Sequence, residues 1–194
     1  MVKLCLFGGT FDPPHVGHLI IAETIQESEK FDRIVFVPAS NPPHKKRSIS
    51  PIEDRLEMLR LTLVNNDHFD VSNIEIERGG VSYTVETVKE TKGKFNLNSE
   101  GIYFLIGSDS LLDFHSWMEY ESILNECTVI VALRPGFRPS RIDPKILSQI
   151  RFANIPQIEV SSSQIRHRVK SGLTIRYMVP DSVWDFINKK GMYL

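Results

Sequence analysis

GGTFDPPHVGH, residues 8–18, stands between a strand-like segment and a helix-like segment. The residues before it, Val2–Phe7, form an apolar run typical of a buried strand, and Leu19–Ala22 after it form the apolar part of a helix. The stretch is therefore predicted to be a strand-to-helix turn. Gly8-Gly9 lets the main chain approach a ligand closely, and Thr10 adds a hydroxyl near a helix N-terminus, where the helix dipole favours an anion. Phosphate is the ligand that suits this turn, and a tight turn without a ligand is the alternative.

Apolar segments typical of strands alternate along the chain with segments typical of helices. Strands are predicted at Val2–Phe7, Ile34–Val37, Val71–Ile76, Ile102–Ile106, Thr128–Leu133 and Gln157–Val160. Helices are predicted at residues 16–29, 51–64, 84–91 and 119–125, and a last short helix contains Val183–Ile187. The second helix starts with Ser50-Pro51-Ile52-Glu53, a capping-box pattern with proline at the first helical position. This alternation predicts parallel βαβ units and an α/β fold, with a central, mostly parallel sheet and helices on both faces.

The polar and glycine-rich loops follow predicted strands. Ligands of open α/β sheets bind beyond the carboxyl ends of the strands, in the crevice where the strand order reverses. We therefore expect four loops to meet at one site: Gly8-Gly9-Thr10, Ser40–Lys45, Gly107-Ser108-Asp109 and Ser161-Ser162-Ser163.

The composition is that of an ordinary globular protein. The 194 residues, 41% of them hydrophobic and 24% charged, are expected to form one domain over residues 1–194. A net charge of -1 and a pI near 6.6 give no general attraction to nucleic acid or to an anionic membrane, so neither partner is expected.

Cys5 and Cys127 form neither a disulfide framework nor a zinc-ligand spacing, so both are expected to be reduced core thiols. With no signal peptide and no apolar run of about 20 residues, a cytoplasmic protein is expected.

His15 and His18 lie three residues apart at the start of the first predicted helix. This spacing places both imidazoles on one side of the first helical turn, next to the glycine turn that suits phosphate. Gly17 between them leaves space for the rings. A capping or surface role is one alternative, and a zinc pair is another, but zinc needs a third ligand and no cysteine or further histidine is near in sequence. We therefore predict phosphate contacts for the two histidines and no metal held by the chain.

Ser161-Ser162-Ser163-Gln164-Ile165-Arg166 offers hydroxyls and N–H groups at the start of a later helix. Arg166 follows at a spacing that returns its side chain to the same end of the helix, which predicts a second anion site. An ordinary N-cap is the alternative for the serines. The short basic run Lys45–Arg47 is typical of a solvated loop.

These motifs together resemble the bacterial nicotinate-mononucleotide adenylyltransferases of the nucleotidyltransferase superfamily. Residues 8–18 look like the (H/T)xGH signature of that superfamily. The further motifs of the family occur in the same order, in Asn41–Lys45, Ser82–Thr84, Gly107–Asp109, Trp117 and Ser161–Arg166. The resemblance covers nearly the whole chain, and the combination is highly specific. The HxGH element alone also occurs in class I aminoacyl-tRNA synthetases and in phosphopantetheine adenylyltransferase.

The resemblance implies a Rossmann-like nucleotide-binding domain that transfers AMP from ATP to nicotinate mononucleotide, with release of pyrophosphate and with Mg²⁺ as cofactor. The nucleophile is a phosphate oxygen that is already ionised at pH 7, so the chain needs no general base. Its task is to align two anions and to spread the charge that develops on the phosphates.

The resemblance also implies a role for each site residue. The implied catalytic residues are His15, His18 and Arg166, with His18 at the α-phosphate and Arg166 at the β- and γ-phosphates. The implied ATP contacts are Gly8, Gly9, Thr10, Phe11, His15, His18, Gly107, Asp109, Ser161, Ser162, Ser163, Ile165 and Arg166. The implied contacts to nicotinate mononucleotide are Lys45, near its phosphate, and Thr84, Trp117 and Met118. A core position is the alternative for the tryptophan, but its polar surroundings suit a ring that stacks on a pyridine.

Two positions depart from the family pattern. Glu86 stands where aspartate is common, which is a conservative change of reach. Met118 stands where an aromatic residue is common, and its main-chain N–H survives the change.

Three other functions account for part of the sequence. Phosphopantetheine adenylyltransferase shares the chemistry but does not need Asn41–Lys45, Ser82–Thr84 and Trp117. A class I synthetase needs a tRNA-binding domain, for which the chain is too short. A nucleotide-binding sensor without turnover would not need intact His15–His18 and Ser161–Arg166 elements. The oligomeric state is left open, a homo-oligomer included.

Overall fold

The computed structural model describes residues 2–42, 49–133 and 136–194. The strands are β1 (Leu4–Gly9), β2 (Arg33–Pro38), β3 (Phe69–Val71), β4 (Ile102–Gly107), β5 (Thr128–Ala132) and β6 (Ile150–Ala153). The helices are α1 (Val16–Glu29), α2 (Ile52–Leu63), α3 (Ile74–Arg78), α4 (Thr84–Phe95), α5 (Ser108–Leu112), α6 (Tyr120–Glu126), α7 (Pro144–Leu147), α8 (Ser162–Lys170) and α9 (Asp181–Lys190), with 3₁₀ turns at Phe114–Ser116 and Pro139–Arg141. Within these described ranges, no helix is long and apolar enough to cross a lipid bilayer.

The described strands form one sheet in the order β3-β2-β1-β4-β5-β6, and each neighbouring pair is parallel. β1 is central, so that Leu6 lies opposite Val35 on β2 and opposite Phe104 on β4. This strand order is that of a doubly wound, Rossmann-like sheet, which confirms the predicted fold class. The order reverses between β1 and β4, so a ligand crevice is expected where these strands end, at Gly9 and Gly107.

Alternate residues of the strands face two separate layers of helices. On β1, Leu4 and Leu6 belong to a core cluster that also contains residues of α4 and α6. Cys5 and Phe7 point to the opposite face and join a cluster with residues of α1 and α2. A third cluster connects α8 and α9 to α2 through Met58. The third cluster fixes α8, which carries the predicted second anion site, against the rest of the fold.

The predicted strand Val71–Ile76 is wrong beyond its first residue. β3 ends at Val71, and α3 begins at Ile74. Polar residues turn the chain between them, because Ile74 N–H donates to Ser72 Oγ (3.2 Å) and Ile76 N–H donates to the Asn73 carbonyl (2.9 Å). The apolar pattern of the run did not reveal this turn.

The predicted strand Gln157–Val160 is also wrong. Residues 154–160 have no regular structure, and the strand beside β5 is Ile150–Ala153. Arg151 is exposed at this sheet edge, so β6 lacks the continuous apolar run that marks a buried strand. The short helices α5 and α7 likewise have too few residues for a helical period to show in the sequence.

The predicted capping box at Ser50 does not form. α2 begins at Ile52 with Pro51 as its N-cap, and no side chain caps the helix. Ser50 instead donates its N–H to a carboxylate oxygen of Asp12 (3.4 Å). A contact with the 8–18 turn has therefore replaced the local cap.

Candidate active site at the strand-order switch

A cavity of about 470 Å³ opens where β1, β2 and β4 end. This volume is in the range of sites that bind small molecules, roughly 300–1,000 Å³. The predicted site residues that line it are Gly8, Gly9, Thr10, Thr84, Asp109, Trp117 and Met118. The cavity therefore brings together residues assigned to ATP and residues assigned to the mononucleotide. Gly107 lies at its edge, as the last residue of β4 and the N-cap of α5.

Gly8 and Gly9 present bare main chain at the cavity because neighbouring rings occupy the space that a side chain would need. A Cβ atom at Gly8 would lie 2.8 Å from the ring of Phe104, and one at Gly9 would lie 2.7 Å from the ring of Phe11. Packing inside the fold therefore requires glycine at both positions. The same absence of side chains lets a ligand approach the main chain.

Phe11 is a core residue of the 8–18 turn, and its ring packs against His18. Its ring is buried and packs edge-on against Phe7 at 5.6 Å between centroids and against His18 at 4.9 Å. Its backbone is left-handed, with φ of 49°, at the point where the chain turns from β1 toward α1. Only 2% of Phe11 is exposed, so it supports the site by packing against His18 and presents little surface to a ligand.

His15 and His18 stack on each other at the start of α1. Their ring centroids are 3.6 Å apart and their planes differ by 21°, so both rings lie on one side of the first turn as the spacing predicts. The N–H of His15, the N-cap residue, donates to Nδ1 of His18 (3.1 Å). Because Nδ1 accepts this bond, neutral His18 carries its proton on Nε2 and donates from that side. A Cβ atom at Gly17 would lie 3.0 Å from Nδ1 of His15, so glycine leaves the room that this ring occupies.

The first serines of the later motif attach α8 to the 8–18 turn. Ser161 is the N-cap of α8, and its hydroxyl accepts the N–H of Gln164 (3.2 Å). The hydroxyl of Ser162 donates to the carbonyl of Pro13 (2.9 Å). The N-termini of α1 and α8 are therefore held against the same short segment.

Arg166 returns to the N-terminal end of α8, as its spacing predicts. Its guanidinium donates to Ser163 Oγ (3.0 Å) and to the main-chain carbonyl of Asp12. Ile165, by contrast, packs in the third core cluster, and its N–H donates to the carbonyl of Ser161. The structure thus attaches Arg166 to the 8–18 turn and keeps the side chain of Ile165 in the core.

The side of the cavity predicted to bind the mononucleotide is formed by Trp117 and the start of α4. The indole packs against Phe114 (5.2 Å between centroids) and edge-on against Phe104 (6.3 Å), so Trp117 is part of the core and of the cavity wall at once. Thr84 is the first residue of α4, and Met118 is about half exposed. An aromatic surface and a helix N-terminus therefore meet on this side.

Three buried charged residues beside these elements escaped the sequence analysis: Asp12, Arg55 and Glu75. Arg55 of α2 donates to main-chain carbonyls of the loops that follow β1 and β2. Burial lowers the pKa of its guanidinium, and the Asp12 carboxylate opposes that shift. Arg55 precedes Met58 and Leu59 by three and four residues, so it stands within the apolar stripe of α2. A charge within such a stripe is the signal that could have identified it.

The carboxylate of Asp12 joins the 8–18 turn to a distant segment. Its Oδ1 accepts the hydroxyl of Tyr193 at 2.7 Å. Burial raises the pKa of Tyr193, and the neighbouring carboxylate raises it further. This tyrosine is therefore a neutral donor that helps to hold Asp12 in place.

Three sequence predictions about the site remain, and they concern the basic run at Lys45, the departure at Glu86 and the absence of a metal held by the chain. Lys45 and the rest of the basic run 45–47 lie outside the described residues. Glu86 pairs with Arg78 at 3.3 Å. Within the described ranges, no group of three or more His, Cys, Asp or Glu side chains is placed to hold a metal ion.

The comparisons with known proteins agree with this geometry. Residues 6–168 match the family described as cytidylyltransferase-like. A relative from Thermoanaerobacter sp. (strain X514) is 39% identical over 201 residues, which cover 99% of this chain and 94% of the relative, and it is named "Probable nicotinate-nucleotide adenylyltransferase". A relative of the same name from Desulfitobacterium hafniense (strain Y51) is 39% identical over 200 residues, 98% of this chain and 95% of its own.

A solved structure shares the whole fold. The Plasmodium falciparum nicotinic acid mononucleotide adenylyltransferase complexed with NaAD has a TM-score of 0.82 at 23% identity, covering 100% of this chain and 98% of its own. Fold and site thus define a nucleotidyltransferase of the cytidylyltransferase-like class. Within that class, the chain belongs to the nicotinate-nucleotide adenylyltransferase family.

Proposed function

We propose that this chain transfers AMP from ATP to nicotinate mononucleotide, forming nicotinate adenine dinucleotide and pyrophosphate in NAD biosynthesis. One observation carries the proposal. A single cavity is lined by the nucleotide-side segment Gly8–Thr10 and by Thr84 and Trp117 on the acceptor side, next to a segment that carries His18 and is bound by Arg166. In this reaction a phosphate oxygen of the mononucleotide bonds to the α-phosphorus of ATP. The bond from that phosphorus to the bridging oxygen of the β-phosphate breaks, and pyrophosphate leaves with the electron pair.

The chain's contribution is alignment and charge stabilisation. The attacking oxygen is already ionised at neutral pH, so no residue has to remove a proton from it. The N-termini of α1 and α8 both meet the 8–18 turn, and each offers N–H groups and a positive dipole end to the phosphates of ATP. Two such ends at one segment favour the compact triphosphate over a neutral ligand.

We assign transition-state contacts to His18 and Arg166. The Nε2–H of His18 is proposed to donate to the α-phosphate, where charge builds up during transfer. His15 fixes that ring through its N–H and by stacking, and it is proposed to contact the triphosphate. Arg166 is proposed to bind the β- and γ-phosphates, which become the leaving pyrophosphate, supported by its bond to Ser163.

We propose MgATP as the form of the nucleotide that is used. Mg²⁺ usually keeps several waters and binds through substrate phosphates and one or two carboxylates, so it needs no preformed group of three acidic ligands. The described residues fit that pattern, since Asp109 lines the cavity without forming such a group. The ion would neutralise phosphate charge while the chain aligns the reacting groups.

The decisive test measures pyrophosphate release from ATP with nicotinate mononucleotide, nicotinamide mononucleotide, phosphopantetheine or no acceptor. Rapid release with nicotinate mononucleotide, with the dinucleotide as product, is expected. Faster turnover of phosphopantetheine would instead assign the chain to that other adenylyl transfer. Tight ATP binding without turnover of any acceptor would indicate a nucleotide sensor.

We further propose that residues 1–194 act as one domain in the cytoplasm. The single six-stranded sheet of the described residues supports the first point. Cys5 and Cys127, both buried thiols without a disulfide, support a reducing location.

A further inference from the structure

Arg55 is a buried cation whose hydrogen bonds join two connections beside the cavity, the loop after β1 and the connection from β2 to α2. Only 1% of its surface is exposed. The guanidinium donates to main-chain carbonyls at four positions: Thr10 (2.9 Å), Ala39 (2.8 Å), Ser40 (3.4 Å) and Ser50 (3.0 Å). Thr10 and Ala39 both line the cavity, the first in the loop after β1 and the second in the loop after β2.

The loop after β2 is held from its other side as well. In a trans peptide the C=O of one residue and the N–H of the next point in opposite directions. Ser40 N–H accordingly donates to the buried carboxylate of Glu75 (3.3 Å), and Asn41 N–H donates to Ser82 Oγ (3.0 Å). The peptide units of this loop are thus fixed between Arg55 on one side and the α3–α4 region on the other.

A buried carboxylate nearby stabilises the positive charge of Arg55. Asp12, also 1% exposed, is the carboxylate that most strongly stabilises the cationic form of Arg55. Asp12 is anchored in turn by Ser50 N–H and by the hydroxyl of Tyr193. The planar guanidinium offers five donors in fixed directions, which lysine cannot reproduce with one compact ammonium.

We propose that Arg55 is a positioning residue for adenylyl transfer, which sets the nucleotide-side loop at Thr10 relative to the loop at Ala39–Ser40 without touching either substrate. The second loop is joined to the acceptor side by the bond from Asn41 N–H to Ser82, two residues before Thr84. This inference rests on the proposed function, because only a two-substrate transfer needs the two loops in register. An error of about 1 Å between reacting groups lowers the rate about 10²-fold even when each substrate still binds. Loss of the guanidinium should therefore lower kcat more than it weakens the binding of either substrate.

The test compares Arg55→Lys with Leu63→Ala, a core substitution at the far end of the same helix. Leu63 is buried in the cluster on the α1–α2 side of the sheet, so its truncation lowers stability without altering the contacts of Arg55.

Both variants are assayed at a temperature well below their measured Tm values. Arg55→Lys is expected to lose roughly 10- to 100-fold in kcat, with KM for ATP and for nicotinate mononucleotide each changed less than about fivefold. Leu63→Ala is expected to keep kcat within twofold. Arg55→Lys with a lowered Tm and kcat within threefold of the parent would overturn the proposal.

Hydrogen exchange supplies a measurement that does not depend on turnover. The amides of Ser40 and Asn41 should exchange at least tenfold faster in Arg55→Lys than in Leu63→Ala. Unchanged exchange would refute the proposal that Arg55 orders this loop. If Arg55→Lys does not fold, Ser82→Ala removes the acceptor of Asn41 N–H from the opposite side of the same loop. Ser82→Ala should show the same faster exchange at Asn41 and a severalfold loss of kcat. If its exchange rate and its kcat both equal those of the parent protein, the proposal is overturned. Failure of the parent protein to transfer AMP would remove the proposed function, while the exchange data would still decide whether Arg55 orders the loops.

Discussion

His15 donates its main-chain N–H to Nδ1 of His18 (3.1 Å) while the two imidazoles stack at 3.6 Å between centroids. The N-cap residue of α1 thereby fixes both the orientation and the tautomer of the second histidine. A neutral ring that accepts at Nδ1 must donate from Nε2. The helix start is thus built to present a defined donor rather than a freely rotating ring.

The first prediction concerns that donor. His18→Ala should lower kcat by about 10²–10³, because a hydrogen bond that strengthens in the transition state is lost. His18→Gln should retain more activity than His18→Ala, because its amide N–H reaches the position of Nε2. Steady-state kinetics measure both variants, with thermal unfolding as the check on folding. A folded His18→Ala protein with more than a tenth of the parental kcat would show that the assignment is wrong.

Gly17 allows a second prediction, in which packing and helix propensity act in opposite directions. Alanine in place of a helical glycine usually stabilises by about 0.5–1 kcal/mol. At Gly17 the new Cβ would lie 3.0 Å from Nδ1 of His15, so the stacked ring would have to shift by a few tenths of an ångström. Gly17→Ala should therefore lower kcat/KM for ATP at least tenfold. Gly93→Ala is the matched control, because Gly93 lies in α4 with nothing within 4 Å of an added Cβ. It should raise Tm slightly and leave kcat/KM unchanged, and equal kinetics of the two variants would contradict the role given to His15.

Arg166 provides a third prediction about which substrate it serves. Arg166→Ala should weaken the use of ATP, and of pyrophosphate in the reverse reaction, far more than it raises KM for nicotinate mononucleotide. Arg168→Ala is the control on the same helix, since Arg168 donates to the carbonyl of Thr174 (2.7 Å) and not to the 8–18 turn. Kinetics with each substrate varied in turn separate the two cases. An effect confined to the mononucleotide would place Arg166 on the acceptor side instead.

The buried thiols give a fourth prediction, which follows from their raised pKa values. Burial raises the pKa of Cys127 to about 12, and burial also raises the pKa of Cys5. Because the thiolate is the reactive form, neither cysteine should react with iodoacetamide in the folded protein at pH 8. Mass spectrometry should find no adduct before unfolding and two adducts in denaturant. Rapid modification of the native protein would show that one of the thiols is accessible.

How much the sequence predicts depends on whether a feature is local. α1 was predicted over residues 16–29, the span the structure has, because its boundaries are set by a strong motif and an apolar face. The placement of His15 and His18 on one side of the first helical turn was predictable from their spacing of three, whereas the stacking of their rings was not predicted. Arg166 and Ser163 follow the same rule on α8. These features need no knowledge of the rest of the chain.

Contacts between distant segments were not predictable in this way. Asp12 is joined to Tyr193, 181 residues away, and Arg55 reaches Thr10 across 45 residues. The place of Arg55 in the apolar stripe of α2 could mark it as buried, but no periodic pattern in the sequence indicates which distant residue it or Asp12 contacts. β6 was missed for a related reason, because an edge strand with exposed Arg151 depends on its pairing with β5 rather than on an apolar run.

The last prediction concerns the choice between an acid and an amide on the pyridine ring. A carboxylate only accepts hydrogen bonds, whereas a carboxamide also brings two N–H donors that need acceptors. Among the described residues that line the cavity there is no lysine or arginine, and Asp109 and Asp113 add negative charge. The feature that favours an acid is the N-terminus of α4 at Thr84, which offers N–H groups and a positive dipole end.

An amide placed there would face donors with its own N–H groups, and each unpaired buried group costs about 1–3 kcal/mol. With the added charge effect, kcat/KM for nicotinate mononucleotide should exceed that for nicotinamide mononucleotide by at least about 10²-fold. Thr84→Val should reduce this ratio, because it removes a hydroxyl donor, and the acid has two oxygens that need donors where the amide has one. Thr91→Val, in the same helix, removes a hydroxyl that donates to the Thr87 carbonyl (2.8 Å) and should leave the ratio unchanged. Equal use of the two mononucleotides by the parent protein would refute the preference for the acid and leave adenylyl transfer itself standing.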